Sequence, residues 1–216
     1  MRRPYVKVCG IVRPEDAEAA VRAGADAIGF VFAKESPRWV DPETAAAIVR
    51  DLPGGTARVG VFVNRPAGEV RRIAARVGLT AVQAHGDESP RSCRAYRMPT
   101  VKAFPTPLGF DLEKLAPFRA YPILLDGHAD LRRGGTGRMA DWALARRARE
   151  AGYRVLLAGG LDAANLRQAV ETISPIAVDL NSGVERSPGV KDPDRIRRAL
   201  ASLDDLDPSL EETWPW

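Results

Sequence analysis

The chain has 216 residues, 45% of them hydrophobic and 28% charged, with a net charge of +4; this is enough for one substantial core, and a single domain is the default. Its apolar runs are of strand length, short of the ~18 residues of a membrane span, and its positive charge is spread along helices with no basic block interleaved with aromatics, so neither a membrane protein nor a nucleic-acid surface is expected. Two cysteines, Cys9 and Cys93, exclude a disulfide framework, two histidines, His85 and His128, argue against a metal cluster, and the opening lacks a signal-peptide apolar region, so a cytoplasmic location is expected.

Residues 5–9 read as a first strand closed by Gly10, and Pro14-Glu15-Asp16 opens a helix that Gly24 stops. A second strand spans 26–32, and after a loop with Lys34, Ser36, Pro37 and Arg38 the next helix starts at Asp41-Pro42, a cap residue before a first-turn proline. Strands follow at 58–63, at 80–84 before His85-Gly86-Asp87, and at 101–104, alternating with helices at 66–77 and 89–97 and a weak one at 112–118. The sixth strand, 122–125, ends in Asp126, and a long loop with Gly134-Gly135-Thr136-Gly137 leads to a helix over 141–151. The run 155–158 is a strand buried on both faces that ends in Gly159-Gly160, with a helix expected to open at Asp162 as its N-cap. The run 176–180 repeats this grammar and ends in Asn181-Ser182-Gly183, before an eighth helix over 193–203 and an acidic tail over 204–216.

Eight strand–helix units at roughly one per 25 residues predict an all-parallel α/β sheet, and we assign a single-domain (β/α)8 TIM barrel over residues 1–203. An open doubly wound sheet shows the same alternation, but no G-x-G-x-x-G follows the first strand and the Gly-rich loops come late. In a barrel, the loops after strands seven and eight form the usual phosphate site, which points to Gly159, Gly160, Asn181, Ser182 and Gly183.

Cys9 lies at the C-terminal end of the first strand, where barrel chemistry is built, or is a small buried hydrophobe. Lys7 shares its face of the strand, and a cation beneath the thiol is expected to lower its pKa from about 8.5, while itself requiring a carboxylate partner. Asp126 ends an apolar strand and suits a general acid or a loop cap; Asp179, between Val178 and Leu180, suits a partner for Lys7 or for a substrate hydroxyl. Arg38 either binds a substrate carboxylate or is a solvated loop residue, His85 serves acid–base work or structure, and Cys93 packs. The glycine run 134–137 is a lid or an anion-binding turn.

The segments Lys7-Val8-Cys9-Gly10-Ile11, Gly29-Phe30-Val31-Phe32, Ser36-Pro37-Arg38, Val59-Gly60-Val61-Phe62-Val63-Asn64, Val82-Gln83 with His85-Gly86-Asp87-Glu88, Gly134-Gly135-Thr136-Gly137, Leu157-Ala158-Gly159-Gly160-Leu161 and Ser182-Gly183-Val184-Glu185 together closely resemble the phosphoribosylanthranilate isomerases of tryptophan biosynthesis. The resemblance implies a cofactor-free Amadori rearrangement of N-(5-phosphoribosyl)anthranilate, with Cys9 as general base, Asp126 as general acid, Arg38 on the anthranilate carboxylate and the two late loops on the phosphate. It implies a phosphorylated small molecule as the partner, and a monomer or a homodimer. Asn181 stands where the family's loop commonly has serine, which amide-based phosphate binding should survive. Ala84 and Ala140 replace larger residues and are expected to loosen the site's surroundings, leaving open a paralogous isomerase of another phosphoribosyl amine. A non-catalytic phosphate-ligand-binding barrel is a further alternative, under which Cys9 and Asp126 would be dispensable.

Overall fold

The computed structural model describes residues 3–107, 109–127 and 141–207. Eight parallel strands, β1 (Tyr5–Val8), β2 (Ala27–Val31), β3 (Ala57–Phe62), β4 (Ala81–Ala84), β5 (Thr100–Pro105), β6 (Ile123–Asp126), β7 (Val155–Ala158) and β8 (Ala177–Leu180), close in sequence order into a barrel. The seam is the parallel pairing of β1 with β8, which places Lys7 opposite Asp179. Helices α1 (Pro14–Arg22), α2 (Pro42–Arg50), α3 (Ala67–Val77), α4 (Pro90–Ala95), α5 (Trp142–Glu150), α6 (Leu166–Ile173) and α7 (Pro193–Ala201) follow strands, and a 3-10 helix (Leu112–Phe118) stands in place of the helix after β5. The expected (β/α)8 barrel is therefore observed. Among the described residues, no helix is long and apolar enough to cross a membrane.

Local chemistry starts the helices where the sequence predicts it. Asp41 and Asp192 each accept two first-turn backbone N–H groups ahead of a proline at the first turn, and Ser89 and Asp141 each accept one. The start of α6 differs from expectation, since it opens at Leu166 and not at Asp162. Asp162 instead heads a turn: its carboxylate accepts from the Ala164 N–H at 2.8 Å, and Asn165 reaches back to the Gly160 carbonyl at 2.8 Å. These bonds satisfy polar groups that a helix start would have claimed.

Strand alternation divides the apolar residues into two layers. Ala27, Ala57, Val59, Ala81, Val101, Ala103, Leu124, Leu156 and Ala177 form one buried cluster, the barrel axis, while Val6, Ile28, Phe30, Phe62, Val82, Ile123 and Val178 pack with the helices. Most axial residues are small because eight strands leave little room inside, and Leu124 and Leu156 supply the bulk. Ala84 belongs to the outer layer. It faces the helices and not the mouth of the barrel, so the expectation that it loosens the site is corrected.

An antiparallel hairpin, β9 (Glu185–Ser187) with β10 (Val190–Lys191), follows a 3-10 turn over Ser182–Val184 and was not foreseen. The first residues of the expected tail fold onto the barrel: Leu206 is buried, Asp205 pairs with Arg167, and the Arg3 N–H donates to the Asp207 carbonyl at 2.5 Å. The rest of that tail, together with Gly134-Gly135-Thr136-Gly137 and Ala140, lies outside the described residues.

Truncating Leu124 to alanine should leave a cavity on the axis that rigid strands cannot collapse, with a cost of about 2–5 kcal/mol. Urea unfolding of wild type and Leu124→Ala checks this; a cost below about 1 kcal/mol would contradict the packing described.

Candidate active site

Three inward side chains lie at the β1–β8 seam. Lys7 is fully buried, and its Nζ is 2.7 Å from Asp179 Oδ2. Burial works against the ammonium, but Asp179 and Cys9 outweigh it and raise the Lys7 pKa. Cys9 follows on the same face with Gly29 beside it, where a Cβ would come within 2.7 Å of Sγ. The expected lowering of the thiol pKa is not found. Burial pushes Cys9 above its ordinary value, against the pull of Lys7 and Lys191, because Asp179 offsets the nearest cation.

On the opposite wall, β4 sends Gln83 and His85 inward. Gln83 Nε2 lies 2.8 Å from His85 Nδ1, and with the amide donating there the ring proton sits on Nε2, 3.8 Å from Asp126 Oδ2. Burial, helped by the charges of Lys102 and Lys7, depresses the His85 pKa from 6.5 to about 4 although Asp126 acts the other way, so the ring is neutral near pH 7. Glu88 holds this loop from behind: its two oxygens accept from the Asn64 N–H at 2.7 Å and the Gly86 N–H at 2.8 Å. Lys102 in turn binds the Gly86 carbonyl at 2.6 Å.

Asp126 ends β6 against Gly159, the first residue of the loop after β7. Gly159 has φ +96°, and a Cβ there would lie 2.5 Å from the Gly127 nitrogen and 3.1 Å from Asp126 Oδ1. Glycine meets both demands, the left-handed backbone and the close approach. A Cβ on Gly183 would collide with the Leu161 carbonyl oxygen, so the loops after β7 and β8 touch at a second glycine.

Arg38 is not a solvated loop residue. It is buried, with Nε 2.9 Å from Glu185 Oε1 and Nη2 2.7 Å from Oε2. One edge of the guanidinium is therefore occupied by the protein's own carboxylate, and the expected bidentate grip on a substrate must use what is left. Glu185 Oε1 also accepts from Lys191 Nζ at 2.8 Å, and Lys191 bonds Asn181 Oδ1 at 2.8 Å.

All ten residues singled out from the sequence, Cys9, Arg38, His85, Asp126, Gly159, Gly160, Asp179, Asn181, Ser182 and Gly183, line one cleft of about 750 Å³ at the C-terminal mouth of the barrel. Gln83 lines it too and was not assigned a role, although it lies two residues before His85 and strand periodicity could have found it. Glu185 was missed because its partner Arg38 is 147 residues away, and Lys191 because the short hairpin that sets it opposite Glu185 leaves no alternation to read. Two polar atoms of the cleft residues, Gln83 Oε1 and Asp179 Oδ1, are buried with no hydrogen-bond partner among the described residues, and such atoms suit ligand hydroxyls. Among the described residues, no His, Cys, Asp or Glu side chains are grouped as a metal ion would need.

Residues 6–201 match the family model for N-(5'-phosphoribosyl)anthranilate isomerase. The N-(5'-phosphoribosyl)anthranilate isomerase of Citrifermentans bemidjiense is 48% identical over 196 residues, which cover 91% of this chain and 95% of that protein. The Thermotoga maritima phosphoribosyl anthranilate isomerase crystal structure superposes with a TM-score of 0.87 at 41% identity, covering 93% of this chain and 98% of that one. A phosphoribosyl anthranilate isomerase solved in complex with reduced 1-(o-carboxyphenylamino)-1-deoxyribulose 5-phosphate gives a TM-score of 0.83 at 40% identity, with the same coverages.

The depressed His85 pKa carries a stability consequence with a definite sign. Between about 4 and 6.5 the unfolded chain binds a proton that the folded chain refuses, so stability is complete above pH 6.5 and is lost as pH falls toward 4. Urea unfolding at pH 7, 5.5 and 4.5, compared with His85→Gln, checks this. The variant should show a shallower decline, and parallel declines would contradict a neutral buried ring.

Proposed function

The chain belongs to the N-(5'-phosphoribosyl)anthranilate isomerase family, and on that premise we propose that its reaction, the Amadori rearrangement of N-(5'-phosphoribosyl)anthranilate in tryptophan biosynthesis, is carried by Cys9 as general base and Asp126 as general acid. The observation that supports the assignment is their placement at the ends of β1 and β6, lining one cleft together with the two small-residue loops after β7 and β8.

The atoms of the substrate define the task. Asp126 gives a proton to the furanose ring oxygen; the C1–O bond breaks as the nitrogen lone pair forms a C=N bond, and the sugar opens to an iminium. The C2 proton is then acidic, and the Cys9 thiolate removes it. The C2–H electrons form C1=C2 while the C=N pair returns to nitrogen, which yields the enolamine. Ketonisation adds one proton at C1 and releases one from O2, and when Cys9 supplies the first and Asp126 takes the second the pair returns to its starting state.

Burial raises the Cys9 pKa, so the thiolate is the scarcer form; thiolate with carboxylic acid nonetheless carries the same net charge as thiol with carboxylate, and one proton exchanged between the pair reaches it. The neutral His85 lies beside Asp126, its Nε2 3.8 Å from the carboxyl, and adds no charge there. Phosphate binding falls to the amides near Gly159, Gly160, Asn181, Ser182 and Gly183. Arg38, braced by Glu185, keeps its remaining N–H groups for the anthranilate carboxylate. Asp179 Oδ1 and Gln83 Oε1 accept sugar hydroxyls. With Ala84 turned toward the helices, nothing among the described residues of the cleft favours a different amine.

Freshly generated substrate loses its fluorescence on isomerisation, which allows a direct test. Cys9→Ser and Asp126→Asn should each lower kcat by roughly 10²–10⁴, while the affinity for a reduced product analogue stays within about threefold of wild type. A variant that keeps more than a tenth of the wild-type kcat removes its residue from the acid–base pair.

A further inference from the structure

We propose that Lys191 is a positioning residue of the phosphate subsite, holding the loop after β8 and the Arg38 clamp in place from behind the cleft. The proposal rests on the reading above, that amides of that loop take the phosphate. Lys191 is buried, with 1% of its surface exposed, and is absent from the cleft lining, so it acts only through other residues. Its three donors meet three acceptors: Asn181 Oδ1 at 2.8 Å, the Asn181 carbonyl at 3.3 Å and Glu185 Oε1 at 2.8 Å. Asn181 is thus gripped at both its side chain and its backbone, at the point where β8 turns into the Ser182-Gly183 segment.

The charge count goes beyond what a structural lysine needs. Arg38 and Lys191 share the single carboxylate of Glu185, so these three residues taken together carry one positive charge more than they neutralise. Lys7 and Asp179 cancel each other nearby. A surplus buried cation destabilises the free protein unless an anion arrives, and a phosphate on the adjacent loop is such an anion. The hairpin of β9 and β10 brings this about by pairing Lys191 opposite Glu185 across its two strands. Asn181 is suited to its place because its amide oxygen spans the gap to the ammonium; Gly10, at φ +75°, leaves room for that oxygen, since a Cβ there would lie 2.8 Å from it.

The test measures KM, kcat and competitive inhibition by inorganic phosphate in wild type, Lys191→Met, Lys191→Arg, Asn181→Ala, the Lys191→Met/Asn181→Ala double variant and Gly183→Ala. Lys191→Met should raise both KM and the phosphate inhibition constant about tenfold, as expected for loss of a charged hydrogen bond, with kcat changed less than about threefold. Lys191→Arg should recover part of the loss. The double variant should be no worse than Lys191→Met alone, because the two residues form one unit. Should Lys191→Met fail to fold, Lys191→Arg still decides: a raised phosphate constant with kcat changed less than about threefold supports the proposal, and an unmoved one overturns it. If Gly183→Ala weakens phosphate inhibition and the Lys191 variants do not, the Lys191 role falls while the phosphate grip stands. A wild type insensitive to inorganic phosphate overturns both.

Discussion

The buried contact between Lys7 and Asp179 is the constraint on which the site depends. It joins the first and last strands of the barrel beside an axial cluster of alanine, valine, leucine and isoleucine. Desolvating two charges there is costly, and the 2.7 Å geometry only offsets that cost while both partners are present. What the pair provides is placement: it forms the floor on which Cys9 sits and fixes the register that puts Asp179 beside the thiol. It also determines the electrostatics. A lone Lys7 would pull the thiol toward thiolate, whereas a paired Lys7 leaves burial as the dominant influence.

The rim is built by the same economy of charge. Glu185 serves both Arg38 and Lys191, and Glu88 ties the loops after β3 and β4 to Lys102. Each carboxylate braces two or more segments, so the polar groups facing the cleft are fixed by neighbours that do not face it. Such groups need little reorganisation when charge develops during a reaction. Glycine supplies the remaining tolerance: Gly29 makes room for the thiol, Gly159 for Asp126 and Gly183 for a neighbouring carbonyl.

Much of this was legible in the chain. Apolar runs marked all eight strands, and Asp41-Pro42 and Ser89-Pro90 marked helix starts, because these signals are local and their physics is complete within a few residues. Cys9, Asp126 and the glycine loops were legible as strand ends. What escaped depended on partners far away. The fate of Arg38 is decided by Glu185, 147 residues on, and that of the Cys9 thiol by burial inside the closed barrel, with Asp179 working against the pull of Lys7. Periodicity aligned Lys7 with Cys9 but could not say that the cation was already matched. Asp162 looked like a helix cap because an aspartate heads turns and helices alike; its N–H donating to Asn165 Oδ1 and its carbonyl accepting from the Asn165 N–H decided for a turn. The hairpin of β9 and β10 has strands of three and two residues, too short for any alternation to register.

The seam has a consequence for how the protein is made. The two halves of the Lys7–Asp179 pair are 172 residues apart, and β1 acquires its second neighbour only when β8 has been synthesised. A ribosome delivers the thiol long before the strand that shelters it. Throughout elongation the emerging chain carries an unpaired strand edge and an unshielded cysteine, both open to neighbouring chains or to any oxidant present. A closed ring assembled from such distant ends also belongs to the slow end of the folding range. The period of greatest chemical vulnerability for this catalyst therefore comes before it has a cleft, during translation rather than turnover.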